Sequence, residues 1–373
     1  MLSRKIFCGV CLVAALAVLT PAAMGQIIYG QPGSGSFRFI YSHWELDTNG
    51  EKAEVDQTAM PFTGFVPLRD NLEARLYLAG SSTELDTPGD NYKVSGMGDI
   101  RLQLNKSLAD DRYLLSAGLN LPTGKKELSL DDEWPVIEYL AFDFLSLPIR
   151  RLGEGFGFNL LAGAAVPAGE YRLGGSAMFQ FNGEYKAYDG GGDYNPGDMI
   201  SLSAGVDRQF DNLLVRLNAV LALFTTDKLD GEKVFRQSNQ VDLGLSGIFE
   251  REKYSLAGDI RYLIRGRNTR YDTTEAILDQ LKIYGNEFAA AAGLTYRFSP
   301  TWNITPSLEY RKIGANEYDR ESSDMFGIGT DLGLKIVNDV MLDIGFVYFT
   351  GSGDGGDVDI SGMRITSALA AEF

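Results

Sequence analysis

The segment Asp99-Ile-Arg-Leu-Gln-Leu-Asn105 sends Ile100, Leu102 and Leu104 to one side and Asp99, Arg101, Gln103 and Asn105 to the other. Strict period-2 alternation is the mark of a strand with one apolar and one polar environment. The pattern recurs along the chain. It appears at 72–78, 113–121, 156–166, 177–185, 213–223, 241–249 and 254–264, then at 288–298, 302–310, 326–336, 340–348 and 364–373. Weaker runs at 37–46 and 55–66 precede them.

The connections sort into two kinds. Tight turns fall at Arg69-Asp-Asn71, Ala109-Asp-Asp111, Asp211-Asn212, Glu250-Arg-Glu252, Ser299-Pro-Thr301 and Asn338-Asp339. Longer polar loops lie between them, at 82–95, 225–237, 268–285, 314–324 and 351–357. Short turns on one side and long loops on the other are the layout of a transmembrane barrel, whereas a β-sandwich has no reason to sort its loops. Aromatics gather at strand ends: Phe210, Phe249, Tyr254, Phe298 and Trp302 near short turns, Tyr262, Phe288, Tyr310, Phe326 and Tyr348 near long loops. Trp302 and Tyr310 stand roughly 20 Å apart along a tilted strand, close to the spacing of two interfacial girdles. The fold class expected is all-β, a transmembrane antiparallel barrel of about 14–16 strands. Sixteen follows if Pro167–Asp198 adds no net crossing, and fourteen if the weak first pair is not a full hairpin.

The N-terminus reads as an export signal. Arg4 and Lys5 precede an uncharged apolar run, Ile6–Leu19, and Ala23 and Gly25 sit at the −3 and −1 positions of a cut before Gln26. That run is short for a membrane helix, so a retained anchor is the weaker reading. Residues 1–25 are therefore the expected signal peptide and 26–373 a single barrel domain, destined for the cell outer membrane. Cleavage removes Cys8 and Cys11, the only cysteines, and with them any disulfide or thiolate metal site. It also leaves 32 Lys+Arg against 50 Asp+Glu, a net charge of −18, which argues against nucleic acid as a partner. At the other end Ile365, Leu369, Ala371 and Phe373 share one face, and the chain stops on Phe373. Such an aromatic last residue resembles the signal read by the outer-membrane assembly machinery, an expected partner alongside the membrane lipids.

Candidate sites are few. His43, the single histidine, has no Ser-rich or Asn-rich nucleophile motif nearby, so enzymatic activity is not expected. The acidic stretches 351–359 and 317–324 could hold Ca²⁺ but read better as solvated loops, and no metal or cofactor is assigned. The polar strand faces carry Asp99, Arg101, Arg216, Asp242, Asp259, Arg261, Arg265, Arg297, Glu309, Arg311, Asp331, Lys335, Asp343 and Arg364. These residues either line a water-filled path or pair across strands and fill the lumen. Asp272-Thr-Thr-Glu275 looks like a capping box, with Ile277, Leu278, Leu281 and Tyr284 on one face of a short helix over Thr273–Tyr284. Ile277, Leu278 and Leu281 are then candidates for a lid over the mouth.

Gly96-Met-Gly-Asp-Ile-Arg101, followed after a hairpin by Gly118-Leu-Asn-Leu-Pro-Thr-Gly-Lys125, resembles the outer-membrane barrels labelled meta-pathway phenol-degradation proteins, distant relatives of the long-chain fatty-acid transporters. The motifs cover residues 96–125. The resemblance implies passage of hydrophobic or aromatic small molecules. Only Gln26–Gly35 precedes the first strand, too little for the N-terminal plug of the fatty-acid transporters. The sequence supports a channel or transporter for small solutes; a general diffusion porin, or a sealed structural or adhesive barrel, is the alternative.

Overall fold

The computed structural model describes residues 32–373 apart from residues 126, 142 and 319. The expected signal peptide, with Cys8 and Cys11, lies outside the described residues. Sixteen strands form the wall. They are β1 (Ser34–Thr48), β2 (Glu51–Arg69), β3 (Leu72–Thr87), β4 in two pieces (Asp90–Met97 and Ile100–Leu108), β5 (Tyr113–Leu121), β6 (Gly157–Ala168), β7 (Tyr171–Asn182) and β8 (Met199–Phe210). The second half comprises β9 (Leu213–Phe224), β10 (Gln240–Glu250), β11 (Tyr254–Arg265), β12 (Glu287–Ser299), β13 (Trp302–Ile313), β14 (Ser323–Val337), β15 (Val340–Gly353) and β16 (Val358–Glu372). Each pairs antiparallel with the next, and β1 closes the ring against β16 from Ser34↔Glu372 to Thr48↔Val358. Closure satisfies every edge, which is what a strand structure in lipid requires.

Outward positions form the apolar belt that the alternation predicts. Leu102 and Leu104, Leu115 and Leu119, Leu173 and Phe179, Leu217, and Ile365 and Leu369 all stand exposed on the wall. The intervening residues point inward. The tight turns predicted from sequence cluster at one end, joined by Gly169-Glu170, where Gly169 takes φ +65°. Longer connections occupy the other end, after β5, β7, β9, β11, β13 and β15.

Three expectations are corrected. Residues 167–198 do contribute a crossing: Tyr171–Asn182 runs the full wall as β7, paired along its length with β6 and β8. Its small side chains, Gly174, Gly175 and Ala177, weaken the alternation that would reveal it. The segment 82–95 is no polar loop, because β3 and β4 continue past the apolar belt and turn at Pro88-Gly89. The doubtful first pair is a complete hairpin, β1–β2, turning at Asn49 (φ 56°) and Gly50 (φ 92°) as two-residue hairpins favour.

The helix expected over Thr273–Tyr284 is also absent. Ile277–Leu281 is a strand paired with Asn268–Tyr271, part of a six-stranded sheet at the long-loop end. The Asp272 carboxylate accepts from the Thr274 and Ala276 N–H groups, and the Asp272 N–H donates to the Ala276 carbonyl. That closes a hairpin turn; the same carboxylate that could cap a helix serves an Asx turn instead. Ile277 and Leu278 stand 59% and 61% exposed, so the lid expected from them has neither its helix nor a buried apolar face.

Candidate functional site

The connection between β5 and β6 is the longest in the barrel, and it folds inward. Its α-helix, α1 (Trp134–Ala141), starts with Pro135 in the first turn, where a missing N–H costs nothing. Lys125 pairs with Glu133 ahead of it. The Glu133 carboxylate also accepts from the Ser129 N–H, which fixes the approach to the helix. Spacing of three to four residues then turns Val136 and Leu140 toward the wall, against β3 and the upper piece of β4. Beyond α1, Phe144, Leu145, Leu147, Ile149 and Leu152 are buried too. They join wall residues Ile40, Trp44, Val55, Ala59, Leu85, Val94, Met325, Phe349 and Ile360 in one apolar core inside the barrel. Burying seven such loop side chains contributes on the order of 10 kcal/mol or more, offset by the entropy of ordering the segment. This inward loop is a plug.

Polar groups hold it from both sides. Gln57, buried, donates to the Ile149 carbonyl at 2.7 Å and accepts from the Ile149 N–H at 3.0 Å. Arg311, itself buried and paired with Glu287 at 2.8 Å, donates to the Phe144 carbonyl and to Ser146 Oγ. Arg364 donates to the Ser146 carbonyl at 2.9 Å and lies over the Phe349 ring, which stacks on Trp44.

The neck of the plug is where the two sequence motifs meet. Asp99, between the two pieces of β4, accepts from the Gly124 N–H at 2.8 Å, the Glu154 N–H at 2.7 Å and Asn120 Nδ2 at 2.9 Å. Around it, Thr123 Oγ1 accepts from the Ile100 N–H, and the Lys125 N–H donates to the Met97 carbonyl. A Cβ at Gly124 would stand 2.0 Å from the Leu152 carbonyl oxygen, so no side chain fits there. The G-x-G-D and P-T-G-K segments are thus one clasp. It ties both ends of the inward loop to a single carboxylate.

The inward charges divide by task. Asp99 and Arg101 line the lumen, Arg101 pairing with Glu154 at 3.3 Å and lying over Tyr77. Arg261 pairs with Asp242, Arg216 with Asp207, and Arg265 with Glu287. Arg311 and Arg364 hold the plug and do not line the lumen cavity; Asp259, Glu309 and Asp331 sit on the inward faces of β11, β13 and β14. Sequence reading found these charged positions but missed the plug itself, although Trp134–Leu152 is the one long connection rich in large apolar residues. That richness was the available signal.

Beside the plug a cavity of about 1630 Å³ stays open. It begins among short-turn residues, including Asn338, Asp339 and Glu372, passes Ile137 and Leu140 of α1, and reaches Met199, Asn182 and Tyr284 at the long-loop end. His43, the single histidine, is remote from it on the outer face, where its Nδ1 lies 3.1 Å from Asp56.

Fold and site together define a transmembrane β-barrel narrowed by an inward-folded loop. No protein-family model matches the chain, and no curated protein matches it in sequence. Among solved structures it is similar to the CymD monoaromatic hydrocarbon channel, at 12% identity and TM-score 0.49 over 96% of this chain and 93% of that one. It is also similar to a FadL homologue of Pseudomonas aeruginosa (9%, TM-score 0.47, 92% and 90% covered). A third is OccAB4 of Acinetobacter baumannii (10%, TM-score 0.46, 92% and 99% covered). These likenesses concern architecture alone.

Proposed function

We propose that the protein is a passive outer-membrane channel for small molecules, hydrophobic or aromatic compounds among them, and a member of the meta-pathway phenol-degradation-like barrels. The observation that carries the reading is the cavity running past the plug from one end of the barrel to the other. A sealed structural barrel has no use for such a path. The lining suits solutes with an apolar body and a polar edge: Phe65, Tyr77 and Ile137 offer apolar surface beside Arg75, Arg101 and Asn120. Apolar surface beside a few placed polar groups is how small-molecule sites generally favour one class of solute. Meeting of the two family-like motifs at Asp99 supports the family reading, since the resemblance then marks a structural device.

Uptake by proteoliposomes tests it. Phenol-sized aromatics should enter faster than sugars of equal size, and Ile137→Ser with Phe65→Ser should erase the difference. Equal entry of both solutes into vesicles bearing the unmodified protein would leave a general diffusion porin. No entry of either would leave a sealed barrel.

A further inference from the structure

The outward face of the β1–β2 hairpin changes character abruptly. Phe37, Phe39 and Met60 are exposed on it within the apolar belt. One step higher come Tyr41, then His43, Asp56 and Glu54, with the Lys52–Glu45 pair above them. His43 stands directly across the ladder from Asp56, and Glu54 lies two residues along β2 on the same face. One ligand atom from each residue can be chosen so that all lie within 4.8 Å of one another, the only such group of three His, Cys, Asp or Glu among the described residues.

We propose that His43, Glu54 and Asp56 form a divalent-metal site at the outer rim of the apolar belt, selective for a borderline ion such as Zn²⁺. Nothing in the channel reading requires it. One imidazole and two carboxylates are a donor set for Zn²⁺, where Mg²⁺ and Ca²⁺ prefer oxygen ligands only. Paired strands hold the donors in register, so the ion needs only side-chain adjustment to draw them in. All three residues are half-buried, which leaves the water side open to complete a coordination shell. Tyr41 donates from its hydroxyl to Asp56, the kind of outer contact that orients a ligating carboxylate. Without metal, His43 and Asp56 hydrogen-bond each other at 3.1 Å, a separation that neighbouring ligands of one ion also adopt.

Calorimetric titration of ZnCl₂ into the purified, untagged full chain in detergent, with excess Mg²⁺ present, tests the site. One saturable ion per chain is expected, with affinity at least roughly tenfold weaker in His43→Ala and in Glu54→Gln. Both positions face away from the barrel interior, and a Tm for each variant shows that folding is retained. Saturable binding unchanged in both folded variants would overturn the proposal. So would the absence of saturable binding in the parent protein, or equal competition by Mg²⁺, which would mark a diffuse acidic surface.

Discussion

At the scale of single residues, Asp99 bears the heaviest constraint. Three N–H donors converge on its carboxylate, and hydrogen bonds to a charged group are worth about 1.5–3 kcal/mol each. Asp99→Asn keeps one acceptor oxygen and brings a competing donor, so the neck should loosen by about 2–4 kcal/mol while the wall stays closed. Limited proteolysis within 127–150 should become fast, and single-channel currents should become noisier; an unchanged cleavage rate would refute the clasp. Phe373 makes a contrasting case. Its N–H donates to the Gly33 carbonyl, but its ring is 75% exposed on the outer face. A ring so exposed adds little to folding, so its role is proposed to be delivery by the assembly machinery. Deleting it should lower the amount recovered in the outer-membrane fraction without changing the Tm of the protein that arrives. Wild-type recovery would remove that role.

At the scale of elements, the six-stranded sheet at the long-loop end carries a pH dependence. A hydrogen bond from Thr274 holds the Asp272 carboxyl below its usual range, and Lys233 does the same for Glu275, Arg270 for Asp279 and Arg267 for Glu317. A carboxylate depressed in the folded state stabilises above its unfolded value, near 4, and loses that contribution as pH falls through its folded one. Burial pushes Asp227 the other way, so its protonation opposes the trend. Asp227 lies in the strand Thr226–Leu229, so the loss should be clearest over 268–281. Amide exchange over 268–281, corrected for intrinsic rate, should show protection lost as pH falls below about 4.5, less steeply in Glu275→Gln. Flat protection across that range would contradict the assignment.

The same elements show what was legible beforehand. Wall strands announce themselves because lipid outside and water or polar partners inside impose a period of two over some ten residues. The six-stranded sheet does not, since its strands are two to five residues long and lie in one mixed environment. Ile277, Leu278 and Leu281 match a helical stripe equally well, and only the Asp272 turn geometry decides between the two. Plug residues show only an apolar richness, without a period, for a different reason. Phe144 and Leu147 are buried by partners such as Trp44 and Phe349, distant along the chain, and no local period records that. The motif glycines were seen, but their purpose lies in an approach between Gly124 and Leu152 that only three dimensions contain.

At the scale of the whole molecule, charge and shape set what the passage favours. The chain is strongly acidic, yet Glu317 pairs with Arg267 at the mouth and Asp354 with Arg320, while Arg38 and Arg101 line the lumen. Cation preference should therefore be modest. It should fade as salt rises from 0.01 M, where screening acts over about 30 Å, to 1 M, where it acts over about 3 Å. Reversal potentials across planar bilayers in a salt gradient measure this directly. Preference for anions at low salt would mean that the lumenal arginines govern passage.

Both ends of the plug are gathered at one carboxylate, and this separates two properties that most channels must trade against each other. The barrel's register is settled by strand pairing alone, while the gauge of the bore is settled by a segment that leaves and rejoins the wall at the same spot. Because the neck is already closed, a longer or shorter insert between Gly124 and Glu154 changes the closure entropy only slowly with length. The inward loop is in that sense an interchangeable cartridge. Other segments grafted at the Asp99 clasp should re-gauge the bore for other solutes, provided they cover Trp44 and Phe349 and offer acceptors to Arg311 and Arg364.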